Sequence, residues 1–183
     1  MRRREFKSAA ICFAALLVAC TARAAAVDSE TCFKETGDVA IAACTRLIES
    51  GEFTGNGLAA IYFNRGVTWR EMGDHDRAIQ DYTEAIKLNP NFEQAFFNRG
   101  NAYEEKGQLE RAIQDYNRAI ELKPDYAKAF NNRGYVYDEK GEFGHAIQDY
   151  DRAVALKPDY AKALNNRGIS YATTAPSRTT IKL

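Results

Sequence analysis

Few side chains in this chain are of types that do covalent or metal chemistry, and their spacing works against it. There are two histidines, His75 and His145. They fall 70 residues apart, and no nucleophile, base and orienting acid recur around them, so a catalytic triad has no support. No His, Cys or Asp grouping has the spacing of metal ligands. The expectation is therefore no enzyme activity, no metal and no cofactor, with an unrecognised catalytic site as the remote alternative. Of the four cysteines, Cys32 and Cys44 stand apart from Cys12 and Cys20. Their spacing does not suit a C-x-x-C redox or zinc site. In an oxidising compartment such an even pair forms a disulfide; otherwise it is two buried thiols.

Two polar columns recur instead. Arg65, Arg99, Arg133 and Arg167 form the first, and Asp81, Asp115 and Asp149 follow the first three by sixteen residues. A planar guanidinium can bond a carboxylate through two donors. A repeated Arg–Asp pair within or between structural units is the reading preferred here over a solvated charged face. Asn64, Asn98, Asn132 and Asn166 form the second column. An amide offers both a donor and an acceptor, which suits either a peptide backbone or a neighbouring helix.

The elements that position these columns are written as a repeat. Asn-Arg-Gly occurs at residues 64–66, 98–100, 132–134 and 166–168, a step of 34 each time. Three residues after each Gly stands Trp69, Tyr103, Tyr137 or Tyr171. In the first three units there follow a Gly (Gly73, Gly107, Gly141), an Ala (Ala78, Ala112, Ala146), a Tyr (Tyr82, Tyr116, Tyr150), a second Ala (Ala85, Ala119, Ala153) and a Pro (Pro90, Pro124, Pro158). Tyr62, Gly66 and Trp69 share one helical face, as do Ala78, Tyr82 and Ala85. Small residues let two helices approach while aromatics fill the space beside them. Gly73 with Asp74 ends one helix and caps the next, and Asn91, Asp125 and Asp159 after the prolines are placed to cap the following ones.

This order of residues at a 34-residue period is similar to the tetratricopeptide repeat. The resemblance implies an all-α fold, a right-handed α-solenoid of stacked antiparallel helix pairs, in which each pair exposes an apolar face until a neighbour covers it. It also places the first helix of each unit along a concave groove. The Asn column lies ~200° from the packed Gly at ~100° per residue, opposite the contact within the unit. The candidate partner-binding residues are thus Asn64, Asn98, Asn101, Lys128, Asn132, Tyr135, Lys162 and Asn166. In family grooves, Asn and Lys hold extended peptides or C-terminal carboxylates. Lys128, Lys162 and the Asn column match that pattern, but no Arg stands in the Asn column. The resemblance thus points to a protein or peptide partner, with Asn otherwise serving only to fix the helix stack.

The two ends read differently. Met1–Lys7 is basic, Ala9–Ala19 is apolar without charge, and small residues follow from Thr21 to Ala26. That is the layout of a secretory signal peptide, with an apolar run too short to span a bilayer. Leu17-Val18-Ala19-Cys20 resembles the lipobox of bacterial lipoproteins. A soluble periplasmic product is expected, with a lipoprotein at Cys20 as the alternative and membrane attachment only in that case. Without the first 24 residues the body carries 20 basic and 24 acidic residues, which argues against binding nucleic acid. The organisation expected is a signal peptide at 1–24 and a degenerate helix pair at 25–57, in which Gly51–Gly57 is an inserted loop. Three repeats and a capping helix then occupy 58–172, and a disordered tail 173–183.

Overall fold

The computed structural model describes residues 24–175. The readings of a signal peptide, of lipidation at Cys20 and of most of the tail lie outside the described residues. Nine helices follow one another within them: α1 (24–34), α2 (Gly37–Ser50), α3 (Gly55–Glu71), α4 (His75–Leu88), α5 (Glu93–Glu105), α6 (Leu109–Leu122), α7 (Ala127–Glu139), α8 (Phe143–Leu156) and α9 (Ala161–Thr174). The fold is an all-α solenoid of helix pairs. Units one to three are α3–α4, α5–α6 and α7–α8, preceded by α1–α2 and followed by α9.

Each unit closes on the residues that repeat. Ala78, Tyr82 and Ala85 are fully buried, as are their equivalents Ala112, Tyr116, Ala119 and Ala146, Tyr150, Ala153. The glycine of Asn-Arg-Gly makes room for the tyrosine ring. A Cβ at Gly100 would lie 2.8 Å from Tyr116 Cε1, and one at Gly66 would stand equally close to Tyr82 Cε1. The close approach is thus glycine against ring, more than glycine against alanine. Gly107 turns α5 into α6 at φ 68°, a left-handed conformation that suits a residue without Cβ. Asp74 caps α4 by accepting from the Arg77 N–H at 3.0 Å.

The capping role expected of Asn91, Asp125 and Asp159 is corrected. Phe92, Tyr126 and Tyr160 sit at the N-cap positions of α5, α7 and α9, with no side-chain cap bond. Packing sets this register. Phe92 packs on Phe63 and Tyr126 on Phe97, each pair tilted with ring centroids 4.9 Å apart, contacts comparable in size to one cap bond. The inserted loop is also shorter than expected. Gly55, Asn56 and Gly57 belong to α3, which leaves residues 51–54 as the connection. Phe53 in that connection packs on the N-terminal core of Cys32, Ala43, Cys44, Leu47 and Ile61. Cys32 on α1 and Cys44 on α2 form a disulfide, with Cα atoms 4.9 Å apart. At the other end α9 runs to Thr174, two residues past the boundary expected for the capping helix.

The stack curves. First helices of successive units approach one another closely (α3 with α5, α5 with α7, α7 with α9), whereas the backbones of α4, α6 and α8 stay farther apart. The odd-numbered helices from α3 onward therefore crowd along an inner face, and α4, α6 and α8 form the outer one.

Candidate functional site: the inner face of the solenoid

The arginine column holds the stack together. Nε and Nη2 of Arg65, Arg99 and Arg133 each grip the Asp of their own unit through two bonds of 2.6–2.8 Å. The third donor, Nη1, reaches back to the preceding unit: Thr45 Oγ1, Thr83 Oγ1 and Asn117 Oδ1 accept it at 2.9, 3.0 and 2.5 Å. Arg167 reaches back in the same way, to Asp151 Oδ1 at 2.8 Å. One guanidinium thus fixes both the helix pair and its neighbour, a link that the sixteen-residue spacing alone did not reveal. Burial pushes the Asp81, Asp115 and Asp149 carboxyls up, and the guanidinium opposes it. Cutting such a pair strands a buried charge.

A second ladder was missed from sequence. The Tyr116 hydroxyl donates to Glu104 Oε2 at 2.6 Å, and the Tyr150 hydroxyl to Asp138 Oδ2 at 2.7 Å. Asp138 also accepts from Ser170 Oγ at 2.7 Å, which ties unit three to α9. The tyrosine follows the carboxylate by twelve residues in both units. The signal was therefore present, but the column changes from Glu to Asp and becomes Arg70 in the first unit, which hid it.

The structure distributes the candidate binding residues unevenly. Asn101 is buried rather than lining the surface, and its Oδ1 accepts from Asn132 Nδ2 at 2.9 Å and lies 2.8 Å from the Tyr116 hydroxyl. Asn166 Nδ2 bonds Asn131 Oδ1 at 3.3 Å, and Asn131 is fully buried. Asn132 and Asn166 thus carry unit-to-unit bonds. Asn98 donates to the Gln94 carbonyl one turn back in its own helix, at 2.8 Å. Asn64 is half-buried. Lys128 and Lys162 are exposed, and so is Tyr135, whose hydroxyl is pushed up by the Glu139 carboxylate.

Tyr135, Asn166 and Ile169 come together, with Asp138, Glu139 and Ser170, around a cleft of about 270 Å³ between α7 and α9. Ile169 is 57% exposed. On α5, burial pushes the Glu104 carboxyl up, opposed by the bond from the Tyr116 hydroxyl and by Lys162 and aided by Glu139. Both signs of charge therefore meet on this face beside exposed apolar area. Among the described residues no His, Cys, Asp and Glu group is set to hold a metal ion. No described helix is long and apolar enough to cross a membrane.

Family comparison agrees with this architecture. Models described as tetratricopeptide repeat match residues 59–92, 81–114 and 127–160, and one described as TPR repeat matches 100–141. The matches run without a gap from 59 to 160, and the chain belongs to the tetratricopeptide-repeat family. No curated protein sequence matches it significantly. Among solved structures it is similar to MamA, with 27% identity and a TM-score of 0.69 over 74% of this chain and 77% of that one. It is also similar to the first TPR of Spaghetti (RPAP3) bound to the HSP90 peptide SRMEEVD. There the identity is 26% and the TM-score 0.66, over 69% of this chain and all of that one. The second TPR domain of human RPAP3, in complex with the HSP70 peptide SGPTIEEVD, is 30% identical. Its TM-score is 0.61, over 63% of this chain and 98% of that one.

Proposed function

We propose that this chain is an exported protein–protein interaction scaffold that docks a partner's peptide or helix along its inner face. The observation that carries the reading is the cleft between α7 and α9. There Tyr135 and Ile169 stand exposed beside Asn166, while the repeated core residues are consumed by packing. Exposed apolar area rimmed by polar groups is characteristic of interaction surfaces. The peptide complexes of the RPAP3 domains support a short peptide as ligand. Lys128 and Lys162 supply charge for a partner carboxylate, and Asn64 and Asn98 add amides.

The direct test is a photocrosslinking residue placed at Tyr135, compared with one at Gln114 on the outer α6. Crosslinks to a discrete partner at Tyr135 alone support the groove, and equal yield at both positions rules it out. Export is a separate part of the proposal. The mass of the mature N-terminus tests it: a start between Cys20 and Val27 supports export, and a lipidated Cys20 selects the anchored form.

A further inference from the structure

One acid of the inner face lacks the cation that its equivalent has. Glu71, Glu105 and Glu139 recur at a step of 34 residues, and they are the last residues of α3, α5 and α7. A carboxylate there meets the negative end of the helix dipole, which favours a cation instead. Glu105 is compensated: Arg70 Nη1 lies 3.3 Å from its Oε1 and His75 Nδ1 3.1 Å from its Oε2. A step of 34 residues on, those two places hold Glu104 and Leu109. Glu139 therefore has an acid and an apolar residue where Glu105 has Arg70 and His75. The conflict registers on Glu104, whose carboxyl is pushed up by burial and further by Glu139.

No neighbour makes good the loss. The last turn of α7 carries no basic residue. Lys140, next in the chain, sends its Nζ to Glu142 at 2.7 Å and Glu110 at 3.6 Å. Asp138, beside Glu139, accepts from the Tyr150 hydroxyl at 2.7 Å and from Ser170 Oγ at 2.8 Å. Both donors are neutral and leave its charge uncancelled. Asp138 and Glu139 line the α7–α9 cleft together with Tyr135, Phe143 and Ile169, and no Lys, Arg or His is among the residues that line it. Its volume of about 270 Å³ falls short of the ~300–1,000 Å³ of sites that enclose a whole small molecule. It suits one long side chain of a larger partner. An apolar wall with an acidic rim matches side chains that carry a cation on a methylene stem, and the exposed Tyr135 ring offers such a cation its face.

We propose that this cleft takes a lysine or arginine side chain of the docked partner, its stem against Ile169, Phe143 and Tyr135 and its charged head at Asp138 and Glu139. The partner thereby supplies in unit three the cation that Arg70 supplies to Glu105. This rests on the groove reading above and names what one end of that groove selects. Lys128 lies eleven residues before Glu139 on the same helix, about 16 Å away along its axis. A partner with a basic residue in the cleft can thus still present a carboxylate to Lys128.

The test captures randomised octapeptides on the full chain at ~0.15 M salt, where long-range attraction between exposed charges is screened, and sequences what is retained. Lys or Arg should be enriched at one position of the retained sequences. Norleucine in that position of a selected peptide keeps a stem, removes the charge and should weaken binding roughly tenfold. Glu139 is exposed, so Glu139→Gln should keep the wild-type thermal midpoint while weakening the basic peptide by a similar factor. Glu139→Lys should turn the selection at that position toward Asp or Glu. Glu49→Gln, exposed on α2 at the other end of the stack, should change nothing. Where Tyr135→Ala abolishes retention the groove stands. The inference then fails if basic residues are not enriched, if norleucine binds as well as the basic residue, if the enrichment survives Glu139→Lys, or if Glu49→Gln lowers it as much as Glu139→Gln does. If no peptide is retained, or Tyr135→Ala leaves retention unchanged, the groove reading itself fails and this inference with it.

Discussion

At one end of the stack, α1 and α2 cover the first face of unit one. Leu47 and Cys44 are buried against Ile61, and the Cys32–Cys44 bridge fastens the two covering helices together. At the other end α9 lies on unit three through Ala163 and the Ser170–Asp138 bond, and its far side faces no further described helix. Leu164 and Tyr171 are exposed there, and a Cβ built on Gly168 meets nothing within 4 Å. Gly168 therefore keeps the repeat's residue without the ring that makes it necessary. A consensus position has a physical value only where its partner is present. The same holds for Arg167, which makes the backward bond of its column but has no Asp sixteen residues on, because that place is Leu183.

The sharpest way to break this comparison is to place one substitution at both glycines. Gly100→Leu drives a side chain into the Tyr116 ring and the fully buried core beside it. Overpacking of that kind costs roughly 1–3 kcal/mol or more, and with the Tyr116 ring fully buried the upper end is expected. Gly168→Leu enters open space in a helix, where replacing glycine gains rather than loses. Thermal unfolding followed by circular dichroism should show a large drop for the first and none for the second. Equal drops would mean that α9 is packed as tightly as α5.

The bridge comes next in size. It joins residues 12 apart in sequence, for which chain entropy predicts about 3 kcal/mol, less any strain. Cys32→Ser with Cys44→Ser, or reduction of the wild type, should lower the thermal midpoint. Hydrogen exchange should rise first in α1 and α2, because stability in a solenoid is passed between neighbours. Uniform loss of protection along the whole stack would contradict a local staple.

How far the sequence alone reached follows the same logic. A fixed 34-residue step repeats the packing residues, so the units, their buried Ala and Tyr positions and the Arg–Asp pairs were legible. The Arg reach into the preceding unit was not, because its acceptors change from Thr83 to Asn117 to Asp151. The helix starts were misplaced because Asn91, Asp125 and Asp159 carry good capping chemistry, yet the aromatic beside each takes the N-cap position. The candidate groove was partly legible: Lys128, Lys162 and Tyr135 are exposed as the helical face demanded, whereas Asn101 turned inward to Tyr116.

The smallest expected effect separates the two roles open to the asparagines. Asn98 bonds only its own helix, to the Gln94 carbonyl, whereas Asn132 bonds Asn101 in the preceding unit. Asn98→Ala should leave stability nearly unchanged, since the lost bond is local and Ala is the better helix former. Asn132→Ala should cost about 1–2 kcal/mol, because it takes one bond from each of two buried amides, Asn101 and Asn131. If the column also grips a partner, the double substitution weakens capture by more than that loss of stability explains, while the chain stays folded at the working temperature. Lys128→Glu with Lys162→Glu should weaken capture of a partner that presents carboxylates, and the effect should shrink as salt is raised, because exposed charges are screened. A folded Asn98→Ala, Asn132→Ala protein that captures its partner as the wild type does would assign this column to the stack alone. The binding energy would then reside in Tyr135, Ile169 and the charged rim of the α7–α9 cleft.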